Sequence, residues 1–204
     1  LLVQSLLQSI SISGKTFMFT ITGGTDVNWS PSADYLCRIV IPLLEKFGFS
    51  ITSSIIKRGF YPKGSGKIIF KVKSPTKIKP ISIIEPEYSN LVIDGIITSD
   101  SSISKPQSQI DEQCLYAKTF LEQHQLNIDS INTSTHDSGS FSSGICISST
   151  SQNCFIGSDI LETNVKQLNS LGKNCSKKFL SEYASNCTVD HHLADMIIPF
   201  LSLS

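Results

Sequence analysis

The sequence has little of several features that would point directly to a chemistry. It has no net charge, because 17 Lys and Arg residues balance 17 Asp and Glu residues. A chain without a global basic field does not attract nucleic acid over its whole surface, so any such contact must come from a local patch. No apolar run reaches the roughly 20 residues that a membrane-spanning helix needs, so no membrane partner is expected.

The chain also lacks the short signatures of several enzyme classes. Its six cysteines never occur with the Cys-x-x-Cys spacing of structural zinc sites. We therefore expect reduced thiols in an intracellular protein and no metal site built on them. The His-Glu-x-x-His pattern of metalloproteases and the Gly-x-Ser-x-Gly nucleophile elbow are missing as well.

The two ends of the chain lack the usual terminal signals. The chain begins at Leu1, without an initiator Met, in an apolar pattern typical of the middle of a helix, and it ends at Ser204 in another helical pattern. Neither end has a capping residue. We expect this chain to be an internal part of a longer protein.

Apolar periodicity and Gly/Pro punctuation predict alternating helices and strands. A buried stripe of Leu2, Leu6 and Ile10 is expected on the first helix. Ser30 and Pro31 are expected to start the second helix, and Pro42 to bend it. The predicted helices are 1–10, 31–47, 108–124, 163–184 and the segment after 190. The predicted strands are 16–22, 49–57, 67–73, 91–98, 127–133, 144–150 and 154–157. Residues 134–143 are a predicted flexible loop.

This alternation predicts a layered α+β (α/β) fold. The segment Ser74–Pro80 has the composition of a linker. After it, Ser, Gln and Asp become frequent and the helices become more polar. The change in composition predicts a large-domain part at 1–78, an inserted small α/β domain at 79–158, and a return to the large domain at 159–204.

Two polar segments bracket the second helix, GGTDVNWSPSADY at 23–35 and RGFYPKGSG at 58–66. A loop rich in Gly, Thr, Asp and Ser that opens a helix can present N–H groups and oxygens to a ligand, but it can also be a simple connection. Gly59 and Gly64 have the Gly-x-x-x-x-Gly spacing of a phosphate loop, but Ser65 replaces the required Lys, and a turn between strands is favoured by the pattern. Arg58, Lys63 and Lys67 form a basic cluster that could meet nucleic-acid phosphates.

The densest titratable cluster is His191 and His192 with Asp190 and Asp195. Adjacent histidines can serve as ligands or as acid–base groups. The alternative is structural, because Asp190 is also a good N-terminal residue for the last helix.

Three segments resemble the RNA 3'-terminal phosphate cyclase family: GGTDVNWSPSADYLCRIVIPLLEKFG at 23–48, RGFYPKGSGKI at 58–68 and VDHHLADMIIPFLSL at 189–203. The resemblance runs in order over nearly the whole chain, although residues 79–158 match only in layout. It implies a large domain of repeated units, each a small β-sheet with two helices, and an inserted smaller α/β domain.

The resemblance also implies an activity. Enzymes of this family use ATP and a divalent metal (Mg or Mn). A histidine attacks the α-phosphate to form an enzyme–AMP adduct, AMP passes to an RNA 3'-phosphate, and the vicinal 2'-OH displaces it to leave a 2',3'-cyclic phosphate. The implied partners are ATP and RNA 3'-phosphate ends, and the implied location is the nucleus.

The resemblance assigns nucleotide contacts to particular positions. Gln4 matches a nucleotide-contacting glutamine, and a five-residue nucleotide-binding segment is matched by His192, Leu193, Ala194, Asp195 and Met196. In this assignment His192 stacks on the base and Asp195 engages the metal or the ribose. We expect Gln4 and Asp195 to share one mononucleotide pocket. Three departures from the family pattern are Met196 in place of Gln, Ser32 in place of Pro, and Ser65 in place of Gly.

The same resemblance places the nucleophilic histidine beyond Ser204 and a metal-binding Glu before Leu1. We therefore expect no catalytic and no metal-binding residue within the chain, and no self-adenylylation by it. Two other interpretations stay open: a non-catalytic cyclase-like protein that acts in ribosome assembly, and the product of a degenerate pseudogene. The GGTD loop and the HLAD segment look more like those of the true cyclases.

Overall fold

Two β-sheets and the helices that cover them make up the computed structural model, which describes residues 2–99, 101, 103–138 and 140–204. Leu1 of the first predicted helix and Gly139 of the predicted loop lie outside the described residues. The elements in order are α1 (Leu2–Ser9), β1 (Thr16–Gly23), α2 (Ala33–Tyr35), a π-helical segment (Leu36–Val40), α3 (Ile41–Lys46), β2 (Ser50–Lys57), β3 (Gly66–Lys73), β4 (Leu91–Ser99), α4 (Pro106–Glu122), β5 (Ser130–Asp137), β6 (Ser143–Thr150), β7 (Phe155–Glu162), a 3₁₀ segment (Val165–Ser170), α5 (Leu171–Ala184) and α6 (His191–Leu201). This arrangement confirms the predicted α+β class.

The first sheet is antiparallel, with the strand order β1-β3-β2. Its strands alternate between an apolar inner face and a polar outer face, as a sheet covered on one side requires. Phe19 pairs with Phe70 on the inner face, and Met18 pairs with Lys71 on the outer face. Helices α1 and α6 pack together on this side of the molecule, and Phe200 of α6 places its ring 6.0 Å from that of Phe47.

Residues 33–46 form one helical rod with a π-helical segment in its middle. The rod begins at Ala33, and its N-cap is Ser32, whose hydroxyl accepts a hydrogen bond from the Tyr35 N–H at 3.2 Å. The expected start at Ser30 and Pro31 was therefore two residues early. The π-helical segment lies just before Pro42, because proline cannot donate the N–H that continues an α-helix. The bend expected at Pro42 stays a prediction.

The second sheet has the order β5-β4-β6-β7, with β4 and β5 parallel and the other pairs antiparallel. Helices α4 and α5 cover one face, and the rod of residues 33–46 covers the other. Its central strands are therefore buried on both sides. Gly157 of β7 allows the closest approach, since a Cβ there would lie 2.0 Å from Cδ1 of Ile39. The rod thus joins the two sheets.

Several details of the predicted elements were wrong, including the end of β7, which was predicted at 157 and lies at Glu162. On α1 the buried residue is Leu7, and Leu2 is 60% exposed. Val3 and Ile10 pack against the core beside Leu7, so of the predicted stripe only Ile10 is placed as expected. Strand β5 occupies Ser130–Asp137, so it covers part of the predicted loop. The predicted long helix from 163 begins as a 3₁₀ segment and becomes α-helical at Leu171.

Strand β7 runs across residue 158, where the sequence predicted the end of an inserted domain. The division into parts at 1–78, 79–158 and 159–204 stays a prediction. Within the described ranges, no helix is both long and apolar enough to cross a membrane. All six cysteines are free thiols, and four of them are buried.

Candidate functional site

The two polar segments at 23–35 and 58–66 contact each other through their backbones at Gly59. Its N–H donates to the Thr25 hydroxyl at 2.9 Å, and its carbonyl accepts from the N–H groups of Thr25 and Asp26 at 2.9 and 3.1 Å. A Cβ at Gly59 would lie 2.3 Å from the backbone nitrogen of Gly66 and 2.4 Å from the carbonyl oxygen of Gly23. Only glycine fits here. The sequence separates these loops, and the fold makes them one structure.

A buried ion cluster lies beneath the joined loops. Arg58 donates to both carboxylate oxygens of Asp26 at 3.1 and 3.3 Å, and to Asp34 at 2.6 Å. The Asp26 side chain is fully buried, and that of Arg58 is only 9% exposed. The expectation that Arg58 meets nucleic-acid phosphates was therefore wrong, because its guanidinium is already used inside the fold. Lys63 and Lys67 are exposed.

The pKa values in this cluster follow from burial and from the neighbouring charges. Burial by itself lowers the pKa of the Arg58 guanidinium, but the charges of Asp26 and Asp34 outweigh it, and the net pKa is raised. Burial raises the pKa of the Asp34 carboxyl, although Arg58 opposes this effect. The cluster fixes the loop before α2 and the first turn of this helix in place.

A second polar centre links the start of α2 to the start of α6. Asp190, the N-cap of α6, is fully buried and accepts hydrogen bonds from the Tyr35 hydroxyl at 2.6 Å, the Gly157 N–H at 2.8 Å and the Leu193 N–H at 3.0 Å. Burial raises the pKa of the Asp190 carboxyl and of the Tyr35 phenol. The structural interpretation of Asp190 as a helix cap is confirmed.

Asp159 and Lys178 extend this polar region toward the second sheet. The Asp159 carboxylate accepts a hydrogen bond from the Ser32 N–H at 2.7 Å. Lys178 donates to the Asp159 carbonyl at 3.2 Å, and its Nζ lies 3.8 Å from the Asp159 carboxylate. The start of α2 is therefore tied both to β7 and, through Lys178, to α5.

A large cavity of about 510 Å³ opens between these elements. Its wall consists of the loop that follows β1, the start of α2, strands β6 and β7, Lys178 and His192. Its size falls in the range of small-molecule sites. It combines apolar walls with carboxylates, one lysine and one imidazole, which suits a polar ligand with a flat apolar part.

A smaller cleft of about 100 Å³, here called the Gln4 cleft, lies on the other side of the same loop. Gln4 and Met196 line it together with the glycines of the GGTD loop. The inner face of the first sheet forms its floor through Ile21 and Ile68. Residues Ser30–Ser32 border both the large cavity and the Gln4 cleft.

The structure brings some of the predicted nucleotide contacts together and separates others. Gln4 and Met196 share the Gln4 cleft, and His192 borders the large cavity. Leu193 is fully buried, so its side chain is part of the hydrophobic core. Ala194 is partly buried, and Asp195 is exposed and lines neither space. The expectation that Gln4 and Asp195 share one pocket was therefore wrong, because the exposed Asp195 side chain lies outside the cleft that Gln4 lines. The roles of these residues in nucleotide binding stay predictions.

The two adjacent histidines have different surroundings. The rings of His191 and His192 lie 4.0 Å apart, and His191 contacts the Glu182 carboxylate. A third histidine, His136, is half-buried in β5, where burial and the nearby Arg58 charge lower its pKa. His191 is thus held by α5, and His192 is exposed at the rim of the large cavity.

The sequence reasoning missed Tyr35, Asp159 and Lys178. Asp159 had one weak signal, since it is a charged residue in the apolar strand β7. Tyr35 and Lys178 had none, because a tyrosine at a helix start and a lysine on an amphipathic helix are both common on surfaces. Their positions depend on contacts between distant parts of the chain.

A divalent metal has no ligand set in the part of the chain that the structure describes. There, no three His, Cys, Asp or Glu side chains lie together in a cluster able to hold an ion. Three aspartates line the large cavity: Asp26 and Asp34 are held by Arg58, and Asp159 accepts from the Ser32 N–H and lies beside Lys178. The described residues do not fit the metal that the resemblance implies, and we derive no step through it.

Comparisons with known proteins identify the family of this chain. The family model described as RNA 3'-terminal phosphate cyclase matches residues 1–204. Curated relatives with that name include proteins from Pyrobaculum aerophilum (29% identical over 206 residues), Pyrococcus furiosus (31% over 205) and Sulfurisphaera tokodaii (33% over 205). The matches cover 100%, 100% and 98% of this chain but only 58%, 58% and 59% of the relatives' lengths.

Proposed function

This chain belongs to the RNA 3'-terminal phosphate cyclase family, and we propose that it supplies the nucleotide-binding part of an enzyme that closes an RNA 3'-phosphate onto the neighbouring 2'-hydroxyl with ATP. The observation that carries the proposal is the meeting of Gln4 and Met196, from opposite ends of the chain, in one cleft beside the GGTD loop.

In the proposed binding mode, the nucleotide lies across Ser30–Ser32, where the Gln4 cleft and the large cavity adjoin. The Gln4 amide hydrogen-bonds the nucleotide, and the His192 imidazole stacks on the base. His192 and Asp195 are three residues apart on α6, so they are neighbours on the helix surface. Because Asp195 lines neither space, it would engage the ribose only where the sugar projects beyond their walls.

The proposed reaction has three steps. A histidine supplied from outside these 204 residues attacks the α-phosphorus of ATP, forms a P–N bond and releases pyrophosphate. The RNA 3'-phosphate then takes up the adenylyl group and frees the histidine. Finally the vicinal 2'-oxygen attacks the activated phosphorus, loses its proton and expels AMP. The described residues bind and orient the nucleotide in these steps.

Equilibrium binding of ATP, with and without manganese, tests the proposal. Gln4→Ala and Asp195→Ala should each weaken binding by about 1–3 kcal/mol, or about 5- to 150-fold, as expected for a lost hydrogen bond to a charged or polar ligand. Gln8→Ala, one turn along α1, is the matched control and should leave the affinity unchanged. If the chain binds no ATP, or if the control loses as much affinity, the nucleotide site is wrong. Absence of ATP binding would then favour a non-catalytic role.

A further inference from the structure

The zero net charge conceals a strong separation of charge along the chain. Residues 1–79 hold 11 of the 17 basic side chains and three of the 17 acidic ones, a formal charge of +8. Residues 80–204 hold the other six basic and 14 acidic side chains, a formal charge of −8. The first part of the chain therefore carries the local positive field that the total conceals.

Much of this positive charge lies on the outer face of the first sheet. Lys67, Lys71 and Lys73 alternate along β3 with residues that point to the core, and Lys57 of β2 is paired with Lys67. All four lysines are exposed. We call this surface the lysine face. No Asp or Glu occurs in β1, β2 or β3.

The lysines of this face have no partners of opposite charge. None of the four side chains makes an ion pair or a hydrogen bond within the described ranges, whereas the Arg58 guanidinium beneath the loops is paired with Asp26 and Asp34. Lys57 lies directly opposite Lys67, and like charges at such positions destabilise a sheet. Lys71 and Lys73 are two residues apart on one face, or about 7 Å. The fold keeps a repulsive arrangement that an anion would relieve.

The other residues of the lysine face indicate what kind of anion fits. Most outward side chains of the neighbouring strands are hydroxyls: Thr16, Thr20 and Thr22 on β1, and Ser50, Thr52 and Ser54 on β2. The exceptions within the row are Met18, opposite Lys71, and Ile69, which is paired with Thr20 and Ser54. Lysines and hydroxyls are the usual donors to phosphate oxygens. The aromatic residues of the sheet, Phe17, Phe19 and Phe70, alternate to the inner face. The face therefore has phosphate donors and no platform on which bases could stack.

We propose that the lysine face binds the sugar–phosphate backbone of RNA without reading its sequence. The row from Lys67 to Lys73 spans about 20 Å of strand, enough for several phosphates. The Gln4 cleft uses the inner face of the same sheet, so the two sites lie on opposite sides of it. The choice of RNA among polyanions rests on the proposed function.

Fluorescence anisotropy with a 5'-labelled single-stranded RNA of about 20 nucleotides, a length that covers the row of lysines, tests this inference. The RNA ends in a 3'-hydroxyl, so that the chemistry of the 3' end plays no part. The double variant Lys67→Gln/Lys71→Gln is compared with Lys173→Gln/Lys177→Gln on α5, whose lysines are equally exposed. Removing two contacts should weaken binding about 10- to 30-fold near 0.1 M salt and lower the salt slope by about 1.4, while the control changes little.

Several results would overturn the proposal: equal affinity of the Lys67/Lys71 variant and the wild type, an equal loss in the α5 control, or lysine-dependent binding of anionic vesicles in place of RNA. Circular dichroism and a urea transition establish that both variants fold. Loss of RNA binding in the Lys67/Lys71 variant of a chain that binds no ATP would support the lysine face and refute the nucleotide site. If the chain binds ATP and the Lys67/Lys71 variant binds RNA as tightly as the wild type, the nucleotide site is supported and the lysine face is refuted.

Discussion

The hydroxyl of Tyr35 lies 2.6 Å from a carboxylate oxygen of Asp190, although the two residues are 155 positions apart. Both are buried, and Asp190 also accepts from the backbone of β7 and of α6. This contact fixes α6, which carries His192 and Met196, relative to the helical rod that follows the GGTD loop. The candidate nucleotide site therefore depends on a buried hydrogen bond between Tyr35, which lines the large cavity, and Asp190, which lies behind the walls of both spaces.

Tyr35→Phe should lower the free energy of unfolding by about 1–3 kcal/mol, because it leaves a buried carboxylate without one of its donors. Urea denaturation measures the change. Tyr61→Phe is the matched control, since Tyr61 is 60% exposed and should tolerate the loss of its hydroxyl. Equal stability of the Tyr35 variant and the wild type would contradict the role given to this bond.

The stability contributed by Asp190 should fall as the pH rises. Burial raises the pKa of this carboxyl in the folded chain above its ordinary value of 3.8. Between the unfolded and the folded pKa the folded state therefore binds more protons, so the contribution is greatest below about pH 3.8 and is lost as the pH passes the folded pKa. The free energy of unfolding of the wild type minus that of Asp190→Asn should decrease with pH. A difference that increases with pH would contradict this sign.

Arg58→Met should destabilise the chain by about 3–5 kcal/mol, because it leaves two buried carboxylates, Asp26 and Asp34, without their cation. Denaturation near neutral pH measures the loss. Lys63→Met in the same loop, where the side chain is exposed, should change stability little. Similar stability of the two variants would mean that the ion cluster does not hold the loops together.

Met196→Gln should strengthen ATP binding by about 0.5–1.5 kcal/mol, or about 2- to 10-fold, if the cleft binds the nucleotide, because an amide would regain a hydrogen bond there. Isothermal titration calorimetry measures the affinity. Met18→Gln on the outer face of β1, where the side chain is 79% exposed, is the control. An unchanged or weaker affinity in a folded Met196 variant would argue against a nucleotide beside this residue.

Incubation of this 204-residue chain with labelled ATP should yield no covalent AMP adduct. The resemblance places the nucleophilic histidine beyond Ser204, and His191, close to the predicted nucleotide contacts, is engaged by Glu182. Parallel reactions with α- and γ-labelled ATP, followed by denaturing electrophoresis, separate an AMP adduct from phosphorylation. A band labelled only from the α-phosphate would refute the prediction.

The strands and helices followed closely from local patterns. Alternation along β1 and β3 predicted both strands to within a residue or two. Local patterns did not predict which of two similar apolar faces of a helix is buried. On α1 the buried residue is Leu7 and not Leu2. They failed again for Arg58, because its exposure depends on two carboxylates that only the folded chain brings near.

What the sequence determined alone was the set of elements and the family, since each of these depends on residues close together in the chain. The tertiary structure decided which charges are available. It buried Arg58 between Asp26 and Asp34, left the lysine face unpaired, and joined Gln4 to Met196 in one cleft. The physical reason is that pairing and burial of charge depend on distances in space, which local periodicity does not encode.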